Sequence, residues 1–173
     1  MTPPERLTER THRVELATVE WWQHLMTAYP ALAPAPIPRV EWLRRGSTAG
    51  RADLRRWVVA FNRPMLQSAQ GYRTILPNTV VHELAHLAAF RLFNSHGHDP
   101  AWRAIMRRMG FEPRRTHDLD VTDLPGVQRR WRYRCGCGAV HLSTTRHNRI
   151  IRGQQVYRCQ RCGETLTRWE EEP

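Results

Sequence analysis

The chain has 173 residues, 40% hydrophobic and 25% charged, with a net charge of +11. That length carries one compact domain and a small appendix but not two full hydrophobic cores, and no window approaches the run of about 18 apolar residues that a membrane span needs. Without such a run no membrane role is expected, and all 27 of the Lys+Arg residues are arginine, whose planar guanidinium grips phosphate bidentately, so a polyanionic partner is expected.

The opening MTPPERLTERTHR has no basic segment followed by an apolar one, and a cytoplasmic location is expected. Residues 5–29 then place Val14, Ala17, Trp22, Leu25 and Met26 at mostly helical spacing, which predicts an amphipathic helix. Prolines at 30, 34, 36 and 38 end it and predict an extended connector. Short runs at 39–43 and 57–61 read as strands divided by Gly46, Ser47 and Gly50, giving a small sheet expected to be antiparallel.

From Asn78 to Phe93 apolar residues return with a period near 3.6, predicting a buried helix with HELAH in its middle. A loop follows over 94–98. Asp99 then serves as N-cap and Pro100 as first helical residue of a helix striped with Trp102, Ile105, Met106 and Met109 and ended by Gly110. Residues 1–125 thus read as one α+β unit. Beyond it the composition shifts: residues 126–168 hold ten Arg and a single acidic residue, Glu164. An imperfect repeat, YRCGCG from Tyr133 and YRCQRCG from Tyr157, marks 126–173 as a second, metal-stapled unit.

Residues four apart on a helix are separated by about 400° of rotation, so His82 and His86 project from nearly one face and can chelate one ion. Glu83, the neighbour of His82, is placed to take a proton from a water activated at that ion, which is the arrangement of a zinc-dependent peptidase. The reaction expected is amide hydrolysis of a protein or peptide without a covalent intermediate. A third ligand is required. The metzincin spacing fails, because Ala89 and Leu92 stand where Gly and His are needed, which leaves His96, His98, His117 and Glu112. His98 is preferred because the Asp99 cap and a rigid helix start can return its imidazole to HELAH, with His96 the near competitor.

All four cysteines, Cys135, Cys137, Cys159 and Cys162, fall within the repeat, and clustered thiols in a reducing compartment favour metal over disulfides. Four thiolates make a closed tetrahedral zinc site of structural type. Between the two pairs, residues 146–152 are expected to form a hairpin arm whose Arg146, Arg149 and Arg152 straddle phosphates. Trp131, Tyr133, Tyr157 and Trp169 either stack on bases or build a small core.

The residues resemble the SprT-like family, bacterial relatives of the Spartan DNA-protein crosslink protease. Arg45-Gly-Ser-Thr-Ala-Gly50, Asn62-Arg-Pro-Met-Leu66 and His82-Glu-Leu-Ala-His-Leu87 carry the resemblance, as do His98-Asp-Pro-Ala-Trp102, Arg115-Thr-His117 and Arg146-His-Asn-Arg149. It implies a zincin-like metalloprotease domain followed by a four-cysteine zinc ribbon, with one catalytic zinc on His82, His86 and His98 and one structural zinc. It also implies cleavage of proteins on or crosslinked to DNA. Asp99 stands where relatives often have Gly, directly after the third His. His117 either orients substrate or stabilises an oxyanion, or else has a capping or core role. The rival reading is a nucleic-acid-binding zinc-ribbon regulator with little turnover.

Overall fold

The computed structural model describes residues 3–116, 119, 121, 123–127 and 129–169. It forms two compact units, Met1–Gly126 and Val127–Pro173.

The first unit opens with α1, Pro3–Ala28, whose Val14, Ala17, Thr18, Trp22 and Leu25 are buried at helical spacing. Proline stops it as expected, at a single turn over Pro30–Leu32. Three strands follow, β1 Arg39–Leu43, β2 Gly50–Asp53 and β3 Val58–Asn62. Every residue of β3 is buried, which suits the central strand of the order β1-β3-β2.

The sheet is mixed, not antiparallel. β1 runs parallel to β3, with Arg39 opposite Val58, whereas β2 is antiparallel to it. The loop after β1 carries the chain past β3, so β2 forms the far edge. Asn62 at the end of β3 fixes that loop, because its side-chain amide donates to the carbonyls of Gly46 (2.8 Å) and Thr48 (3.0 Å). Its backbone N–H donates to the carbonyl of Ala49. β2 itself has no clear strand signal in the sequence, because Gly50 resembles a turn residue.

A short helix α2, Ala69–Thr74, leads through a widened turn over Ile75–Thr79 into α3, Val80–Phe93. Most of α3 is buried, including Val80, Val81, Leu84, Ala85, Leu87, Ala88 and Ala89, as a helix packed by α1, α4 and β2 must be. Helix α4, Pro100–Arg108, buries Trp102, Ile105 and Met106 against the same core, and Gly110 follows it with a positive φ of 85°.

The second unit has its own small core of Tyr133, Leu142, Cys159 and Leu166. Strands β4 Arg130–Cys135, β5 Gly138–Ser143 and β6 Thr167–Arg168 form an antiparallel sheet ordered β5-β4-β6. The expected hairpin arm over 146–152 is instead a helix, α5, Thr144–Ile151, with Arg152 at its end. Ser143 caps it by accepting the Arg146 N–H. His147 faces inward and Ile150 packs beside it, a three-residue spacing that suits a helix and not a strand. No helix among the described residues is long and apolar enough to cross a membrane.

Leu84 is fully buried on the face of α3 away from solvent. Leu84→Ala is expected to destabilise the first unit by about 2–5 kcal/mol in denaturant unfolding.

Candidate metal centre

Two features of local folding bring the three histidines together. The four-residue spacing puts His82 and His86 on one side of α3, with ring centroids 5.1 Å apart. Asn94, in the left-handed conformation (φ 52°), then stops α3, its N–H still donating to the Phe90 carbonyl. Asn tolerates that conformation better than most residues with a Cβ. The chain reverses there, and the loop runs back alongside the helix to His98. Asp99 starts α4 by accepting the Trp102 N–H at 3.0 Å.

The Nε2 atom of His98 lies 3.0 Å from that of His82 and 3.2 Å from that of His86. Tetrahedral nitrogen ligands about 2.0–2.1 Å from one ion lie about 3.3 Å from each other, so these donors fit a single zinc-sized ion. Trp102 forms the floor. Fully buried, it meets His98 and His82 edge-on with ring centroids 4.5 and 4.8 Å away, stacks on His86 at 5.4 Å, and donates its indole N–H to the His82 carbonyl.

The electrostatics favour neutral imidazoles, the form that ligates metals. Burial lowers the His82 pKa to about 4, with a further push from His98, against a raising hydrogen bond to the Arg114 backbone. Burial, then His82 and His98, takes His86 down to about 3. His98 is lowered by burial and by the charges of Arg115 and Arg103.

Glu83 lies between α3 and β2 and is only 5% exposed. Burial raises its pKa to about 8, against the lowering effect of a hydrogen bond from the Ala52 backbone. Gly50 makes this approach possible. A Cβ there would lie 2.6 Å from Thr79 Cγ2 and 2.9 Å from Glu83 Cγ and Oε1. Gly50, Ala52 and Trp102 therefore shape the site, and the sequence alone marks none of them for that role. Their signal is the fold: only the pairing of β2 with β3 reveals that a glycine faces the helix.

Of the remaining sequence candidates, His96 packs edge-on against Phe90 at 5.1 Å and stays outside the histidine cluster. Glu112 is likewise absent from that cluster. His117 lies outside the described residues.

In the second unit the Sγ atoms of Cys135, Cys137, Cys159 and Cys162 all lie within 4.8 Å of one another. The separations of 3.3 Å for Cys135–Cys137 and 3.5 Å for Cys137–Cys159 far exceed the length of about 2.05 Å of a disulfide bond. They approach the edge of about 3.8 Å expected for thiolates around zinc. Neighbouring thiols, Cys135 first, push Cys137 up to about 12, while the backbone N–H groups of Cys162 and Arg161 bring Cys159 down to about 6. Glu164, the lone acid of the segment, accepts the Gly136 N–H and so ties the two cysteine turns together. Gly138 and Gly163 both adopt positive φ beside their pairs.

Arg146, Arg149 and Arg152 are exposed on α5 and at its end. Strand alternation exposes Arg130, Arg132 and Arg134 on β4 while Tyr133 is buried. The aromatics mostly build the core. Tyr133 is fully buried with its Oη 3.0 Å from His147 Nδ1, and Trp131 stacks flat on His147 at 3.6 Å. Tyr157 packs at the edge of that core, and Trp169 lies under the Arg132 guanidinium.

A helix-borne histidine pair, a third histidine on the returning loop and a separate four-cysteine cluster define an α+β protein with two candidate metal sites. The sequence profile of the SprT-like family matches residues 19–123. Protein SprT of Pectobacterium atrosepticum is 39% identical over 131 residues, 75% of each chain. Protein SprT of Serratia proteamaculans is 35% identical over 142 residues, 80% of each, and that of Yersinia pestis is 34% identical over 157 residues, 90% of this chain and 84% of its own. The chain belongs to the SprT-like family. No solved structure matches it.

The shifted groups set the pH response of the metal-free protein. Between about pH 4.5 and 6.5 the unfolded chain binds protons on His82 and His86 that the fold refuses, against one on Glu83 that only the fold retains. The unfolded state therefore binds more protons, and stability rises with pH. In the first unit, from 6.5 to about 8 only the Glu83 proton distinguishes the states, and the stability of that unit falls, whereas Cys159, brought down to about 6, acts in the opposite sense in the second unit. Thermal unfolding of the metal-free first unit (Met1–Gly126) is expected to peak near pH 6.5; melting temperatures of that unit that climb on acidification below that would contradict the burial of the histidines.

Proposed function

We propose that the chain is a zinc-dependent endopeptidase that acts on proteins associated with nucleic acid, DNA foremost. The observation that carries the reading is the meeting of three neutral imidazoles with a buried carboxyl at Glu83 whose pKa is raised towards neutrality. His82, His86 and His98 would hold the catalytic zinc, and Cys135, Cys137, Cys159 and Cys162 a structural one. Bound zinc supplies Lewis acidity, which acidifies a water and polarises a carbonyl.

The chain's own residues supply the rest of the chemistry. Glu83 takes the proton of the attacking water and delivers it to the leaving amine, a role suited to a carboxyl whose pKa lies near neutrality. Trp102 fixes the orientation of the imidazoles, and the Ala52 N–H holds the carboxylate. The alternative of a nucleic-acid-binding regulator gives no role to a glycine kept against Glu83.

Support for a nucleic-acid partner comes from charge. The net charge of +11 includes exposed arginines on β4 and α5 of the second unit, where Glu164 is the one acid among residues 126–168.

Glu83→Gln is expected to keep both metals, read by elemental analysis, and to lower cleavage of a protein substrate by at least about 100-fold. Retained proteolysis would sink the mechanism. For the arginines, binding to single-stranded DNA is expected to weaken about 20-fold between about 50 and about 200 mM salt if about three phosphates are contacted. A flat salt response would remove phosphate contacts from the account.

A further inference from the structure

An open cleft of about 400 Å³ is bounded by Arg51, Ala52 and Asp53 of β2, the turn at Leu54 and Arg55, and Phe90 with His96. Each wall continues an element that positions a site residue. Ala52 holds the Glu83 carboxylate through its backbone. Phe90 stands one helical turn beyond His86, a rise of about 6 Å, and His96 is two residues before His98. A chain whose scissile bond lies beside Glu83 therefore has a neighbouring side chain within reach of the cleft.

The charge inside the cleft is unbalanced. Asp53 is occupied, since its Oδ1 accepts the N–H groups of Arg55 (3.2 Å) and Arg56 (3.0 Å). The first effect on its pKa is the Arg56 N–H, and the carboxyl is held below the usual carboxylate range. Arg56 is also engaged, by a two-pronged ion pair with Glu41. The guanidiniums of Arg51 and Arg55 make no hydrogen bond or ion pair among the described residues, and Arg51 only senses Asp53 at longer range. Arg51 and Arg55, whose guanidiniums have no partner among the described residues, line the same cleft as the apolar ring of Phe90. That combination suits a short aliphatic stem ending in a carboxylate.

We infer that this cleft is a specificity subsite for an acidic side chain, glutamate above all, next to the bond to be cut, with Arg51 and Arg55 as its recognition residues. This rests on the peptidase reading for the placement of the scissile bond. The carboxylate lies across the two guanidiniums while its methylene groups pack on Phe90.

Binding can be measured without turnover. Zinc-loaded Glu83→Gln protein is titrated, by fluorescence anisotropy, into two labelled peptides that differ only in central glutamates exchanged for lysines. The glutamate peptide is expected to bind about fivefold or more tightly, the scale of two exposed charge pairs. Because the whole chain is basic, the localising measurement is Arg51→Glu with Arg55→Glu, which reverses the preference, while Arg13→Glu on the exposed side of α1 leaves it in place. The milder Arg55→Ala, which removes charge without adding any, is expected to halve the preference or more, with circular dichroism confirming the fold. Equal binding of the two peptides, or a preference that survives charge reversal, overturns the subsite. So does a result in which the double variant weakens only a short single-stranded oligonucleotide, because the arginines then serve phosphate. If the wild-type zinc-loaded protein cleaves nothing, the peptidase reading fails by a separate readout and the peptide titration still decides the subsite.

Discussion

Everything at the histidine site depends on one reversal of direction. A helix can present two ligands by its own periodicity, but it cannot present a third in the same plane; another segment must come back. The left-handed Asn94 makes that return within a few residues of the helix end. The Asp99 cap then commits the chain to a new helix directly after His98. Between these two points the loop has little freedom, and His98 is delivered opposite His82 and His86 as a consequence of how one helix stops and the next begins. Trp102 secures the junction by bonding to the carbonyl of the residue whose ring it supports.

The same economy governs the carboxyl. Glu83 sits on the flank of α3 that meets the sheet, and its burial depends on β2 lying close. That closeness follows from Asn62, which gathers the carbonyls of the preceding loop, and from Gly50, which has no side chain to hold the strand away. Acid–base character at Glu83 is therefore a property of sheet topology as much as of the residue.

These two cases show what is legible in the sequence. HELAH and the Asp99-Pro100 start are local signals, encoded in spacing and capping chemistry, and the histidine cluster can be read from them. The cysteine repeat is local in the same way. The mixed sheet is not legible, because the parallel pairing of β1 with β3 is decided by where a loop crosses, and no residue pattern within either strand records that. Gly50 misleads for a related reason: in isolation a glycine signals a turn, and only a helix packed against its strand gives it another meaning. The segment around His147 reads as an arm because its arginines draw attention to charge, while the Ser143 cap and the inward spacing of His147 and Ile150 carry the helical signal.

The glycine opposite Glu83 also determines how that carboxyl can be reached. A wall made of a side chain can swing aside by rotamer change within nanoseconds. Here the wall is main chain, belonging to an edge strand that, among the described residues, is paired with a neighbouring strand on one side only. Uncovering Glu83 from that direction means displacing backbone, so its traffic with solvent is tied to the fraying of β2 and to the slower clock of local unfolding. The strand over the carboxyl is thus a shield that no rotamer change can remove, and the residues that anchor β2 hold it in place.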